Sequence, residues 1–246
     1  SRAAQWRNGQ VKFAGHHFKV WDSYGLSKYQ FRAGSFSEDA RGRWYFNICV
    51  QVAAQPVTAG KSAVGIDLGL KDAATCSDGT KLSAGRFYRD LESALGKAQR
   101  ANKKQRVKAI HAKIKNRRKD ALHKFSTRLV NSHAAIFVGD VSSTKLTQTR
   151  MAKSVLDAGW AMLKTQLEYK AIARSVVFEV VNESYSTQTC SSCGTLPDSR
   201  PRGIAGLGIR EWTCSECGAE HDRDVNAAMN ILAAGHCRLA VGIPFL

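Results

Sequence analysis

One five-residue pattern, written twice, constrains this chain more than any other feature: Cys190-Ser-Ser-Cys193-Gly194 and Cys214-Ser-Glu-Cys217-Gly218, 20 residues apart. Two C-x2-C knuckles supply four thiolates, the ligand set of a tetrahedral zinc ion with no open position and hence a structural role. A glycine after each knuckle suits a turn that bends tightly beside the sulfurs. Four unrelated cysteines would not repeat the pattern. Residues 187–221 are therefore expected to form a zinc ribbon on Cys190, Cys193, Cys214 and Cys217. The other three cysteines, Cys49, Cys76 and Cys237, are isolated. The first two lie in apolar, strand-like stretches, where a free thiol packs as a small hydrophobe. Seven cysteines, paired by motif and without a signal-peptide pattern, point to metal ligation in a reducing cytoplasm rather than to disulfides.

Charge narrows the partner. The 246 residues carry a formal net charge of +17, which draws polyanions. The charge is concentrated between residues 89 and 130, where Leu91, Leu95, Ala98, Val107, Ile110, Ile114, Leu122, Phe125 and Leu129 recur at helical spacing. Lysines and arginines fill the intervening positions, and after Glu92 the only acid is Asp120. A solvated helix face ordinarily mixes signs; a one-signed face repels itself and calls for a polyanion. Lys103, Lys104, Arg106, Arg117, Arg118 and Lys119 are the candidate nucleic-acid contacts. With no apolar run near the membrane-spanning length, no membrane partner is expected.

The order of elements gives a fold class. Residues 1–58 read as β, in short runs at Val11–Phe13, His17–Trp21, Tyr29–Phe31 and Trp44–Val52, with a hairpin turn over Asp39–Arg43. The opening at Ser1, without Met, reads as the middle of a longer protein, and Gln55–Gly60 as a linker. Strands follow at Ala63–Leu68, Ala73–Ser77 and Lys81–Ser83. Then come the helix over 89–130, a buried strand at Ala134–Val141, an amphipathic helix over Val155–Arg174, a strand at Val176–Asn182, the cysteine segment, and a helix from Asp224 to Leu232 stopped by Gly235. Three strands, helix, strand, helix, strand, helix is the order of an RNase H-like α/β domain, in which carboxylates at strand ends and on the last helix gather metal ions.

Two acids stand where such carboxylates belong. Asp67 lies in the apolar run Gly65-Ile-Asp-Leu-Gly69, where an unpaired acid costs several kcal/mol and a divalent cation is an economical partner. Asp224 opens the last helix in His221-Asp-Arg-Asp-Val-Asn-Ala-Ala228, where the helix dipole favours an anion. Gly65-Ile-Asp-Leu-Gly-Leu-Lys-Asp72 with the following Ser77-Asp-Gly79, Asp157-Ala-Gly-Trp160 with Leu167-Glu-Tyr-Lys170, and the two knuckles with His221–Ala228 together resemble the motifs of the TnpB family, which includes compact type V CRISPR effectors and the eukaryotic Fanzor proteins. The likeness runs from about residue 10 to 235. It implies an RNA-guided DNA endonuclease with a guide RNA and double-stranded target DNA as partners. Residues 59–186 and 222–246 would form a RuvC-like nuclease domain with Mg2+ or Mn2+ in its active site. The ribbon at 187–221 would contact target nucleic acid, and residues 1–58 would be part of an oligonucleotide-binding wedge β-barrel. One ion would activate water and a second would stabilise the leaving 3′ oxygen.

The chain departs from that family at the second motif. A strand ending in Glu-Asp is expected, and the sequence reads Val138-Gly139-Asp140. Asp140 does not substitute, because one residue along a strand turns the side chain to the opposite face. Either the nuclease is inactive and the protein is a guided DNA-binding repressor, or the third acid comes from elsewhere. The strand beginning at Val176 should lie beside the Gly139 strand, about 4.8 Å away. Glu183 at its end can lean into the space that Gly139 leaves, and the catalytic and Mg2+-binding set is read as Asp67, Glu183 and Asp224. Glu179 ranks behind Glu183, and Asp222 would support the ligands from behind.

Overall fold

The computed structural model describes residues 4–7, 9–22, 24–56, 62–141, 148, 152–203 and 205–240. The chain divides into two compact units, residues 1–53 with 98–109, and residues 54–97 with 110–246. The division falls at Ala53/Ala54 rather than at residue 58, and residues 57–60 of the expected linker lie outside the described residues.

The larger unit is a mixed α/β structure built on a five-stranded sheet. β6 (Ala63–Asp67), β7 (Asp72–Cys76) and β8 (Lys81–Ser83) form an antiparallel meander, and β9 (Ala135–Gly139) and β10 (Val177–Val181) extend it parallel to β6, in the spatial order β10-β9-β6-β7-β8. Strand alternation divides β6 and β9 between two faces. Val64, Ile66, Ile136 and Val138 enter a core with Leu122, Phe125 and Leu129 of helix α2 (Lys104–Ser132) and Trp160, Leu163 and Leu167 of helix α4 (Trp160–Arg174). Ala135, Phe137 and Val181 face the other way and pack with Ile231 of the C-terminal helix α5 (Arg223–Ala240). Gly65, Asp67 and Gly139 share the second face by the same alternation.

Several helix boundaries differ from those read in the sequence, each for a local reason. The basic segment is two helices, α1 (Arg89–Arg100) and α2, interrupted at residues 101–103, where Asn102 adopts φ 51°. Asn tolerates that left-handed conformation better than most residues, so it accommodates a break that periodicity does not reveal. Likewise the Val155–Arg174 helix is split by Gly159, φ 69°, into α3 (Ala152–Ala158) and α4. Gly235 does not stop the last helix, which continues to Ala240. It is a close-approach glycine: a Cβ there would lie 2.2 Å from the Phe137 ring. Gly65 does the same from the sheet side, where a Cβ would lie 2.1 Å from the Ala228 carbonyl oxygen.

The smaller unit holds two antiparallel sheets, β1-β2-β3 (Gln5–Arg7, Gln10–Phe13, His16–Lys19) and the hairpin β4-β5 (Phe31–Glu38, Trp44–Val50). The first strand was not evident in the sequence. The hairpin turn lies where expected, with the Asp39 carboxylate accepting the Arg41 and Arg43 backbone N–H groups. Phe36 gathers Phe13, Phe18 and Phe46, with ring centroids 5.2–6.1 Å apart. Among the described residues no strand pairing joins the two sheets into a closed barrel.

Close packing at Gly235 reverses the usual helix-propensity expectation. Ala for Gly in a helix interior ordinarily gains about 1 kcal/mol, yet Gly235→Ala should destabilise by about 1–3 kcal/mol through overpacking against Phe137. Urea denaturation measures the sign; a stabilised variant would refute the close-approach reading.

Candidate active site

Three carboxylates lie at the end of the sheet covered by the start of α5. Asp67 closes β6 and is partly buried. Burial raises its pKa to about 7, the negative charges of Asp224 and Glu183 push the same way, and Arg223 opposes them. Its charged form is disfavoured by desolvation and by its acidic neighbours, which Arg223 offsets only in part.

Glu183 lies just past β10. In the parallel register Val181 stands opposite Gly139, so Glu183 is two residues beyond the paired position and on the same face. A Cβ built on Gly139 would fall 2.2 Å from Glu183 Oε2 and 3.2 Å from Glu183 Cβ. The glutamate carboxylate therefore occupies the volume that a side chain at position 139 would need. Its pKa is raised, first by burial and then by Asp140, against the pull of Lys164 and the Val141 backbone N–H. Among the described residues Glu183 Oε2 is buried without a hydrogen-bond partner. Asp140 is exposed and accepts the Glu183 backbone N–H at 3.2 Å. Glu179 is engaged elsewhere, 2.7 Å from Arg238 Nε.

Asp224 is placed by the helix start. Asp222 Oδ1 accepts the backbone N–H groups of Asp224 and Val225 at 2.9 and 3.0 Å, an N-cap, and its other oxygen meets Lys81 Nζ at 2.9 Å. Arg210, just before β11 (Glu211–Thr213), donates to both oxygens of Asp224 at 3.2 and 3.0 Å. Nothing in the sequence marked Arg210; only folding of the cysteine segment onto the helix start brings it there. All three donors are carboxylate oxygens, a hard set that Mg2+ or Mn2+ fits. The orphaned Glu183 oxygen and the disfavoured Asp67 charge are the features that a cation would satisfy.

The four cysteines converge. Their sulfurs all lie within 4.8 Å of one another, with Cys190–Cys217 at 3.7 Å and Cys193–Cys214 at 3.8 Å. Zn–S bonds of about 2.3 Å in a tetrahedron require S···S separations of about 3.8 Å. Gly194 (φ 76°) and Gly218 (φ 73°) adopt the left-handed turn anticipated after each knuckle. His221 Nε2 lies 3.1 Å from Cys190 Sγ. Among the described residues this is the only such group of three or more potential metal ligands.

Of the six basic candidates, Lys103, Lys104, Arg106, Arg117 and Lys119 are exposed. Arg118 is not available as they are. It turns inward and donates to Asp157 at 2.9 Å, and Asp157 also accepts the Tyr88 backbone N–H. Helical periodicity of the neighbouring apolar positions puts Arg118 near the buried stripe, a signal that its charge obscured.

Comparison with known proteins extends these observations. The family model described as "Cas12f1-like, TNB domain" matches residues 160–231, and that described as "Probable transposase" matches residues 47–150. A Streptomyces pristinaespiralis protein named as an RNA-guided DNA endonuclease is 36% identical over 98% of this chain and 62% of its own length. Escherichia coli K12 InsQ, likewise named, is 30% identical over 82% of this chain and 56% of its own. The chain thus spans about three fifths of the length of these relatives. Cas12f1, in a cryo-EM complex with single-guide RNA and target DNA, shares the fold with a TM-score of 0.54 at 16% identity, over 79% of this chain and 54% of that one. No helix among the described residues is long and apolar enough to cross a membrane.

Two outcomes are expected. Below about pH 4 Asp67 is protonated both folded and unfolded. Between its ordinary value of 3.8 and about 7 only the unfolded chain releases the proton, so stability falls as pH rises through that window. In zinc-replete buffer without Mg2+, Asp67→Asn should remove its part of that slope and stabilise the protein at pH 8 by about 1–3 kcal/mol; thermal denaturation across pH reads both. The double change Arg117→Ala with Lys119→Ala should weaken nucleic-acid binding on all sequences and lower the salt slope by about 2, whereas Arg118→Ala should act mainly on stability. An unchanged slope in the double variant would remove these two residues from the interface.

Proposed function

The chain belongs to the TnpB family, and from that premise we propose that it acts as an RNA-guided DNA endonuclease, hydrolysing DNA phosphodiester bonds at Asp67, Glu183 and Asp224. The observation that carries this reading is the Glu183 carboxylate in the space left by Gly139, on the face that Asp67 shares. It supports an intact set of acids despite the departed second motif. The strand order β10-β9-β6-β7-β8, with an antiparallel meander and two parallel additions, supports an RNase H-like, RuvC-type domain at 59–186 and 222–246.

In this reading Asp67, Glu183 and Asp224 hold two Mg2+ or Mn2+ ions. Bound there, the ions supply a water nucleophile at neutral pH and charge for the leaving 3′ oxygen. The chain's own groups prepare the rest. Asp222 caps α5 and fixes the backbone carrying Asp224. Arg210 holds both oxygens of Asp224 and adds positive charge where a phosphate would arrive. The exposed lysines and arginines of α2 hold nucleic-acid backbone without reading sequence, which is left to pairing between guide RNA and target DNA. Cys190, Cys193, Cys214 and Cys217 bind one structural Zn2+, closing a ribbon at 187–221 that contacts target nucleic acid. Residues 1–58 serve as part of an oligonucleotide-binding wedge.

Cleavage of labelled target DNA by the guide-loaded, full-length protein tests the reading. Wild type should cut with Mg2+ and not with EDTA. Glu183→Gln should lose at least about 100-fold in rate while guided DNA binding survives, because loss of one ligand disturbs both geometry and charge balance. Asp140→Asn, which keeps an acceptor for the Glu183 backbone N–H and removes only the charge beside Glu183, should cost less. A wild type that binds target yet never cuts under any divalent ion would favour a guided repressor. Equal cutting by Glu183→Gln would place the third acid elsewhere. Metal analysis should find one zinc per chain, and Cys214→Ser should lose it together with the fold of the ribbon.

A further inference from the structure

Residues 184–189 form a short strap between Glu183 and the first cysteine, Cys190. Its turns are internally bonded: the Ser186 N–H donates to the Glu183 carbonyl at 3.0 Å, and the Gln188 and Thr189 N–H groups both donate to the Tyr185 carbonyl at 2.9 Å. Tyr185 adopts φ 64°, a left-handed backbone that a bulky residue holds only where its surroundings fix it.

Two asparagines of α5 do that fixing. Asn226, 2% exposed, donates from Nδ2 to the carbonyls of Ser186 at 3.2 Å and Thr189 at 2.8 Å, and its Oδ1 accepts the Ser191 N–H at 2.9 Å. One turn further along, Asn230 donates to the same two carbonyls, each at 2.8 Å. The chemistry is specific: a carboxamide NH2 can donate to two carbonyls while its oxygen accepts an N–H, whereas a carboxylate has no donor and a hydroxyl has only one. Asn226 is also two residues from Asp224 on the same helix. The strap therefore begins at one proposed metal ligand, ends at a cysteine of the sulfur cluster, and is fastened to the helix that carries another metal ligand.

We propose that Asn226 and Asn230 are positioning residues. They fasten the Glu183–Cys190 strap to α5, so that Glu183 and Asp224 keep a fixed separation and the zinc knuckle anchors the far end. Occupancy of the sulfur cluster and divalent-ion affinity at the carboxylates are then coupled. This rests on the reading of Asp67, Glu183 and Asp224 as a divalent-ion site, and its test does not need cleavage.

The experiment is Mn2+ titration of the zinc-loaded, full-length protein followed by electron paramagnetic resonance, with Asp67→Asn marking the site. Asn230→Ala leaves the Asn226 contacts in place and should fold; Asn226→Asp keeps the shape but sets an acceptor against two carbonyls. Each should bind Mn2+ about 10–100-fold more weakly, as expected when a group supporting a metal ligand is removed, with one zinc per chain retained at least in Asn230→Ala. Partial zinc removal from wild type should weaken Mn2+ binding in the same direction. Wild-type Mn2+ affinity in a zinc-loaded Asn230→Ala would overturn the inference alone. A wild type that binds no Mn2+, or an Asp67→Asn that binds as well as wild type, would overturn the metal-site reading and the inference with it.

Discussion

The close approach of α5 to the sheet is the contact on which the rest of the larger unit depends. Gly65 on β6 and Gly235 on α5 are each occupied by the opposing element, to the point that a single methyl group would overlap it. The helix can therefore lie against β6 and β9 with Ile231 and Phe137 filling the space between. That proximity puts the first turn of α5, and Asp224 in it, beside the end of β6 where Asp67 stands. The positions of the acids are consequences of backbone packing, and the glycines are what permit it.

Packing at this distance creates an electrostatic problem. Asp67, Glu183 and Asp224 are brought towards one another in a partly desolvated setting, and both burial and like charge oppose the ionised form of Asp67. Protein cations answer only part of this. Arg210 and Arg223 lie at Asp224, and Lys164 acts on Glu183, but among the described residues the buried Oε2 of Glu183 has no donor. A fold selected for stability alone would have little reason to keep such an arrangement, since apolar residues of like volume commonly serve better than buried charges. On the proposed reading, divalent cations would complete the charge balance.

What the sequence made legible was periodic or covalent in character. The doubled knuckle specified a cluster of four sulfurs, and the structure brings those sulfurs together. Strand alternation was enough to set Asp140 and Glu183 apart: the first emerges exposed, the second turns to the face of Asp67. Features that depend on one residue's conformation or on a distant neighbour were not legible. Gly159 breaks a helix and Gly235 does not, though both are single glycines in apolar helical runs; the difference is the backbone, left-handed at Gly159 (φ 69°) and helical at Gly235, which a linear pattern does not contain. Arg118 looked like one more basic residue in a basic helix until Asp157, 39 positions away, claimed it. Arg210 belongs to a segment whose only visible signal was its cysteines.

On the proposed reading, the relation between positions 139 and 183 explains how a carboxylate could move in sequence without moving in space. β9 and β10 are parallel neighbours, so their side chains on one face form a common row, and a ligand site at the row's end can be served from either strand. Parallel pairing with Val181 opposite Gly139 sets the offset: two residues beyond the pair, a glutamate has left the ladder and can fold its carboxylate back over the neighbouring strand's end. The exchange works in one direction at a time. With Glu183 in place, position 139 admits no side chain, since even a Cβ would lie 2.2 Å from Oε2; with a glutamate at 139, the same volume would already be taken. Glycine at position 139 is therefore what lets the Glu183 carboxylate lie where it does.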